Sequence, residues 1–407
     1  MSKKLFIIII SVTLGLFLIS LVGYYFILQG SGDTSGGAGS IFKNFFPFGG
    51  NSTSTMTTPV VEENPTPATP TQSNYAQKLR KITSEPVAGA GVLDVKAGTI
   101  VRYIEKATGH IFETELFSPN QNRISNTTIP MVYDAVWGNK NNSLIARYLK
   151  DDNQTIDTYG IMIKEVATST ENAVSATKFP ENLNEISSFG SSVFSLEQRV
   201  GYSVGYISNF DGSKKTQIWN SPIKELLSQY VNAKTVALTT KPDENTPGFL
   251  FFIDTGNGRM TKILGNILGL STLTNDLATQ VLFLSQGDSP QMFVFDIKTG
   301  TSVNTTPTTF PEKCVWSKKD RNIIYCAVPQ GFIDGSSLTA WYRGFVSLTD
   351  DIWKYDIKNN TSSIVESLSN ESGEQIDVIK PLLSENEQYI VFINKIDNSL
   401  WSLDLTK

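Results

Sequence analysis

The chain has one histidine, His110, and two cysteines, Cys314 and Cys326. This scarcity excludes much chemistry at the outset. A Ser-His-Asp triad would have to use His110, which sits in Thr108-Gly109-His110-Ile111 between two expected strands and reads as a turn residue. A metal centre built on several histidines is excluded, and two cysteines cannot close a structural zinc site. No EF-hand spacing, P-loop or G-x-G-x-x-G at a strand-to-helix junction is present, so neither a metal nor a cofactor is expected. Long basic runs are missing too, and the formal net charge is −5. Nucleic acid is therefore not an expected partner, because phosphate binding needs a basic surface to release counterions. Adjacent acids occur at Asp350/Asp351 and Asp151/Asp152, the residue type used in glycoside cleavage. Such pairs are also common on solvated loops, so no catalytic residue is assigned and the protein reads more as a binder than as an enzyme.

What the sequence does have begins at the N-terminus. After a short tail, residues 1–4, an uncharged apolar run extends from Leu5 to Leu28. As a helix it would be about 36 Å long, enough to span a hydrocarbon core of about 30 Å. Lys3 and Lys4 precede it and the next basic residue is Lys43. The positive-inside rule then puts the N-terminus in the cytoplasm and the rest outside, as a single-pass protein of the cell membrane. Tyr24 and Tyr25 stand at the outer end, where amphipathic rings favour the interface. The competing reading is a cleaved signal peptide. It would usually have a shorter apolar region, and the one candidate cleavage site, Ala38-Gly39-Ser40, lies well past this run.

Residues 29–75 read as a tether, Gly/Ser-rich at first and Ser/Thr/Pro-rich from Asn51. Between these stretches lies Ile41-Phe42-Lys43-Asn44-Phe45-Phe46-Pro47-Phe48, either a patch resting on the outer leaflet or a docking peptide for another membrane protein.

From residue 76 to residue 407 the chain is Gly-, Asn-, Ser- and aromatic-rich, a mixture that suits strands and tight turns. One unit recurs: an alternating strand, a polar or acidic residue, then a turn. It is clearest in Met292–Gly300 and returns at Asp351–Asn360, Ser399–Lys407, Phe249–Gly258, Val204–Gly212, Tyr159–Glu165 and Val101–Gly109. Most spacings fall near the ~40–45 residues of a four-stranded propeller blade. Several units are preceded by an inner hairpin, as in Ala135–Tyr148, Cys314–Tyr325 and Leu382–Phe392.

The W-S-x-x-x-x-x-I-x-Y hairpin at Trp316–Tyr325, followed by the I-W-x-x-D strand at Ile352–Asp356, resembles the WD40-like propellers of the Tol-system type. The likeness covers roughly residues 78–407 and lacks the strict G-H…W-D signature. It implies an all-β fold: a β-propeller of seven four-stranded blades, with six or eight as alternatives, behind one transmembrane helix. It is nearly silent on function. The third strand of the last unit lies almost at Lys407, so residues 78–84 are expected to supply the fourth strand of that blade and close the ring.

Two features suggest sites. A hairpin centred on Asp320 sets Cys314 opposite Cys326, which favours a disulfide over two buried thiols. The segment from Pro329 to Asp350 is long for a loop inside one blade and carries Phe332, Trp341, Tyr342 and Arg343, residue types enriched at binding hot spots. The alternative is that these aromatics only cap the core. The expected function is binding or scaffolding of an envelope protein or glycan. Two alternatives stay open: a propeller hydrolase of envelope polysaccharide or peptide, which needs carboxylates at the channel mouth, and a passive surface protein.

Overall fold

Alternation along each strand sends side chains to both faces, and a core covers each. In the strand Pro247–Asp254, Leu250 and Ile253 are fully buried on opposite faces, in two different apolar clusters, while Phe249 and Phe251, on the Ile253 face, stack with ring centroids 6.1 Å apart. The computed structural model describes residues 77–407 apart from 126–127, 165–172, 287–288, 332 and 335. The apolar run at 5–28, the tether at 29–75 and Phe332 lie outside the described residues. Among the described residues no helix is long and apolar enough to cross a membrane.

The described residues form seven four-stranded antiparallel sheets, the blades of a β-propeller. Blades 1 to 6 occupy residues 87–123, 132–178, 185–221, 226–268, 271–305 and 314–367. Blade 7 is built from residues 378–404 and completed by Leu79–Thr83, which pairs antiparallel with Leu400–Asp404. The expected closing strand is thus in place. Arg80 ties it onward to blade 1, donating to the carbonyls of Leu116 and Ser118 at 2.9 Å each.

Seven buried apolar clusters hold the ring, one at each blade junction, so every blade packs on two neighbours. Gly160 permits the closest of these approaches: a Cβ there would lie 1.7 Å from the carbonyl oxygen of Phe210 in blade 3.

Six of the seven repeat units fall on third strands. The exception is Val101–Gly109, which belongs to the second strand of blade 1, Gly98–Glu105; the third is Ile111–Glu115. A second strand followed by a tight turn carries the same pattern as a third strand, which lengthens the interval from that unit to the next, at Tyr159–Glu165. The other long spacing has a different cause, the insertion at residues 330–349 between the second and third strands of blade 6.

Candidate functional site

In an up-and-down blade, the loops between second and third strands emerge on the same face of the ring as the links between blades. On this loop face stands the 330–349 insertion, which contains a short helix, Ser337–Tyr342. Asp334 organises its start: its carboxylate accepts from the Ser336 amide and hydroxyl and from the Ser337 hydroxyl. Gly344 ends it with φ +74°, a left-handed conformation suited to glycine.

The helix is fastened from below. Trp341 is 4 % exposed, and its indole N–H donates to both carboxylate oxygens of Asp377 at 3.0 Å. The Leu348 amide donates to the same carboxylate at 3.0 Å. Lys313 is wholly buried; its Nζ donates to Asp350 Oδ2 at 2.6 Å and to Asp377 Oδ1, and lies 5.0 Å from the Trp341 ring centroid. Burial pushes the Asp350 carboxyl up to about 6, against the pull of Lys313. From the other side, Lys395 donates to the carbonyls of Trp341 and Val346 at 2.8 and 3.2 Å. A wholly buried ion cluster therefore sets the position of the insertion.

The structure places the predicted residues of this segment in different settings. Trp341 is an internal strut. Tyr342 and Arg343 are exposed. The Tyr342 hydroxyl donates to Glu312, which also accepts from Ser271 at 2.6 Å. Arg343 faces blade 4, where Asp243 is held low chiefly by the Asn245 amide and further by the Arg343 charge. Sequence reasoning missed Phe345, 76 % exposed, although its place beside Arg343-Gly344 was a signal. Cys314 and Cys326 are register partners and are joined by a disulfide, Sγ–Sγ 2.14 Å.

The second feature is the central channel, a cavity of about 720 Å³ lined by first strands of several blades. Lys380, in a bulge of blade 7 with φ +50°, donates to the Ala88 carbonyl at 3.0 Å and to Asp134 of blade 2 at 2.5 Å. Burial works against ionisation of Asp134, but Lys380 and Arg147 outweigh it and hold the carboxyl below its ordinary value. On blade 3, Glu185 accepts only a long 3.4 Å bond from the Ser228 amide, and burial pushes it up to about 7. Both carboxylates stand near the starts of first strands, hence at the loop-face mouth.

The paired acids in the sequence part ways. Asp350 is committed to Lys313, while Asp351 accepts from Gln330 at 2.8 Å. Asp152 is on an exposed turn, lowered to about 2 by the Thr155 hydroxyl and neighbouring amides. His110 Nε2 meets the Thr128 hydroxyl at 3.2 Å and no acid.

No family model and no curated protein matches the chain. Among solved structures, oligogalacturonate lyase from Vibrio parahaemolyticus is 8 % identical over 82 % of this chain and 94 % of its own, with a TM-score of 0.52. An oligogalacturonate lyase in complex with manganese is 11 % identical over 79 % of this chain and 98 % of its own, with a TM-score of 0.49. TolB from Acinetobacter baumannii is 11 % identical over 82 % of this chain and 64 % of its own, with a TM-score of 0.39. These are likenesses of fold alone. The expected all-β propeller fold is present, with seven four-stranded blades.

Proposed function

We propose that the chain is a membrane-tethered, extracytoplasmic propeller that binds a protein or glycan of the cell envelope through the loop face bearing residues 330–349. The run at 5–28, with Lys3 and Lys4 before it, supports the tether and its orientation. One observation carries the binding role. The insertion is locked underneath by Lys313, Asp350 and Asp377, yet it holds Tyr342, Arg343 and Phe345 out to solvent. Rigid presentation of aromatic and arginine side chains lowers the ordering cost of binding. The test is in-cell photo-crosslinking with the probe at Phe345 and a control at Val303 on an exposed strand. A discrete product from Phe345 alone is expected. The same products from both positions, or none from a folded protein, would overturn the reading.

A hydrolase acting on envelope polysaccharide or peptide is the second reading, supported by the channel-mouth acids. Asp134 is held ionised, whereas Glu185, at about 7, keeps a proton near neutrality, the divided pair that acid–base chemistry uses. Release of new ends from envelope polymers, abolished by Glu185→Gln, is its expected signature; equal release by the variant removes it.

A further inference from the structure

The cluster beneath the insertion is more than an ion pair in its geometry. Lys313, Asp350 and Asp377 are all 0 % exposed. Phe310, also fully buried, packs on Trp341 with centroids 5.4 Å apart, and the two rings help close the site to water. The two carboxylates are unequally supported. Asp377 receives the Trp341 indole N–H on both oxygens and the Leu348 amide on one. Asp350 receives Lys313 and the Val378 amide, at 2.7 Å, on Oδ2 alone; its buried Oδ1 has no partner. A buried charge with a bare oxygen is costly, so Asp350 is the carboxyl better suited to take a proton and give up its hydroxyl. Asp350 is also the carboxyl that burial pushes up.

We propose that Lys313 and Asp350 become joined, in the folded protein, by an isopeptide bond formed without any other reactant, with Asp377 as the proton acceptor. The Lys313 ammonium passes a proton to Asp377, which leaves a neutral amine. Nζ lies 2.6 Å from Oδ2, one bond away from the carboxyl carbon it would attack. The amine attacks Cγ of protonated Asp350, the second amine proton moves to the departing hydroxyl, and water leaves. The C–N bond replaces a C–O bond, and Asp377 ends protonated. The site is electrically neutral before and after. Burial drives the step, because an ammonium and a carboxylate are exchanged for an amide and a neutral acid where charge is expensive.

The test is peptide mapping of the full chain purified folded from cells and then reduced. An amide at Lys313 blocks trypsin there, so fragments 299–318 and 344–354 should appear joined, lighter than their sum by one water, about 18 Da. Complete recovery of 299–313, 314–318 and 344–354 as separate fragments from folded protein would overturn the proposal, as would a link from Lys313 to Asp377. Lys313→Met should release both fragments. Asp377→Asn should form the link at least about tenfold more slowly after synthesis, as expected for loss of general-base assistance. Formation at the wild-type rate would remove Asp377 from the chemistry and the proposed step with it.

Discussion

Glu181 and Glu185 are near neighbours in sequence, but the first lies on the outer rim of the loop face and the second at the mouth of the channel. On the rim, hydrogen bonds from Lys150 and Lys178, at 2.7 and 3.0 Å, draw the Glu181 carboxyl down to about 2. At the mouth, burial carries Glu185 up to about 7, although Arg147 and Lys241 act to lower it. Cations attend both groups, and the difference lies in access to water. The interior repeats the lesson in stronger form, since Asp350 touches Lys313 directly and is still raised. At Glu185 and Asp350 desolvation decides the titration; at Asp134, where Lys380 and Arg147 both reach the buried carboxylate, the cations prevail.

The contrast can be sharpened by removing one lysine from each setting. Lys313→Met removes the group that holds Asp350 and Asp377, whether as cation or as amide, and should cost at least about 3–5 kcal/mol, read by denaturant unfolding. Lys178→Met, on the rim, should leave the unfolding curve where it was; a comparable loss there would break the comparison. Replacing Cys314 and Cys326 together with Ala opens a cross-link of sequence separation 12, and should cost about 3 kcal/mol under non-reducing conditions.

Smaller effects follow from pH. The folded pKa of Glu185 lies above its ordinary 4.5, so the native state holds the proton longer than the unfolded chain does. Its contribution to stability is full below about 4.5 and is lost as pH rises through about 7, a change of up to about 3 kcal/mol. Glu185→Gln should flatten that slope. Glu181 behaves in the opposite sense: its contribution is present above about 4.5 and fades as pH falls towards 2, and Glu181→Gln should change only that acid limb. An unfolding series from pH 3 to pH 8 separates the two.

Local patterns in the sequence showed much of this fold. The pairing of Cys314 with Cys326 and of Trp316 with Ile324 follows from one hairpin, and the strand at 79–83 follows from a blade that lacked its fourth member. The cluster under the insertion was not legible, because Lys313, Asp350 and Asp377 come from three separate segments and meet only when blades 6 and 7 pack. Asp350 showed only as half of an acidic doublet, and Trp341 as a hot-spot aromatic, since type and spacing do not say which way a side chain turns. The channel-mouth acids stayed hidden for a related reason. Asp134 and Glu185 are single acids on different strands, and Lys380 reaches Asp134 from a bulge at the other end of the domain.

The closing strand also sets an order of events during synthesis. Leu79–Thr83 emerges from the ribosome first among the described strands, and its partner Leu400–Asp404 emerges last. At about 5–20 residues per second, the interval between them is roughly 15–65 s. Blades 1 to 6 can form during that wait, but blade 7 cannot, and an unpaired strand edge invites the wrong neighbour. Truncations that remove only the last strand should therefore harm the whole ring, and a nascent chain stalled just before Leu400 should be a good substrate for chaperones.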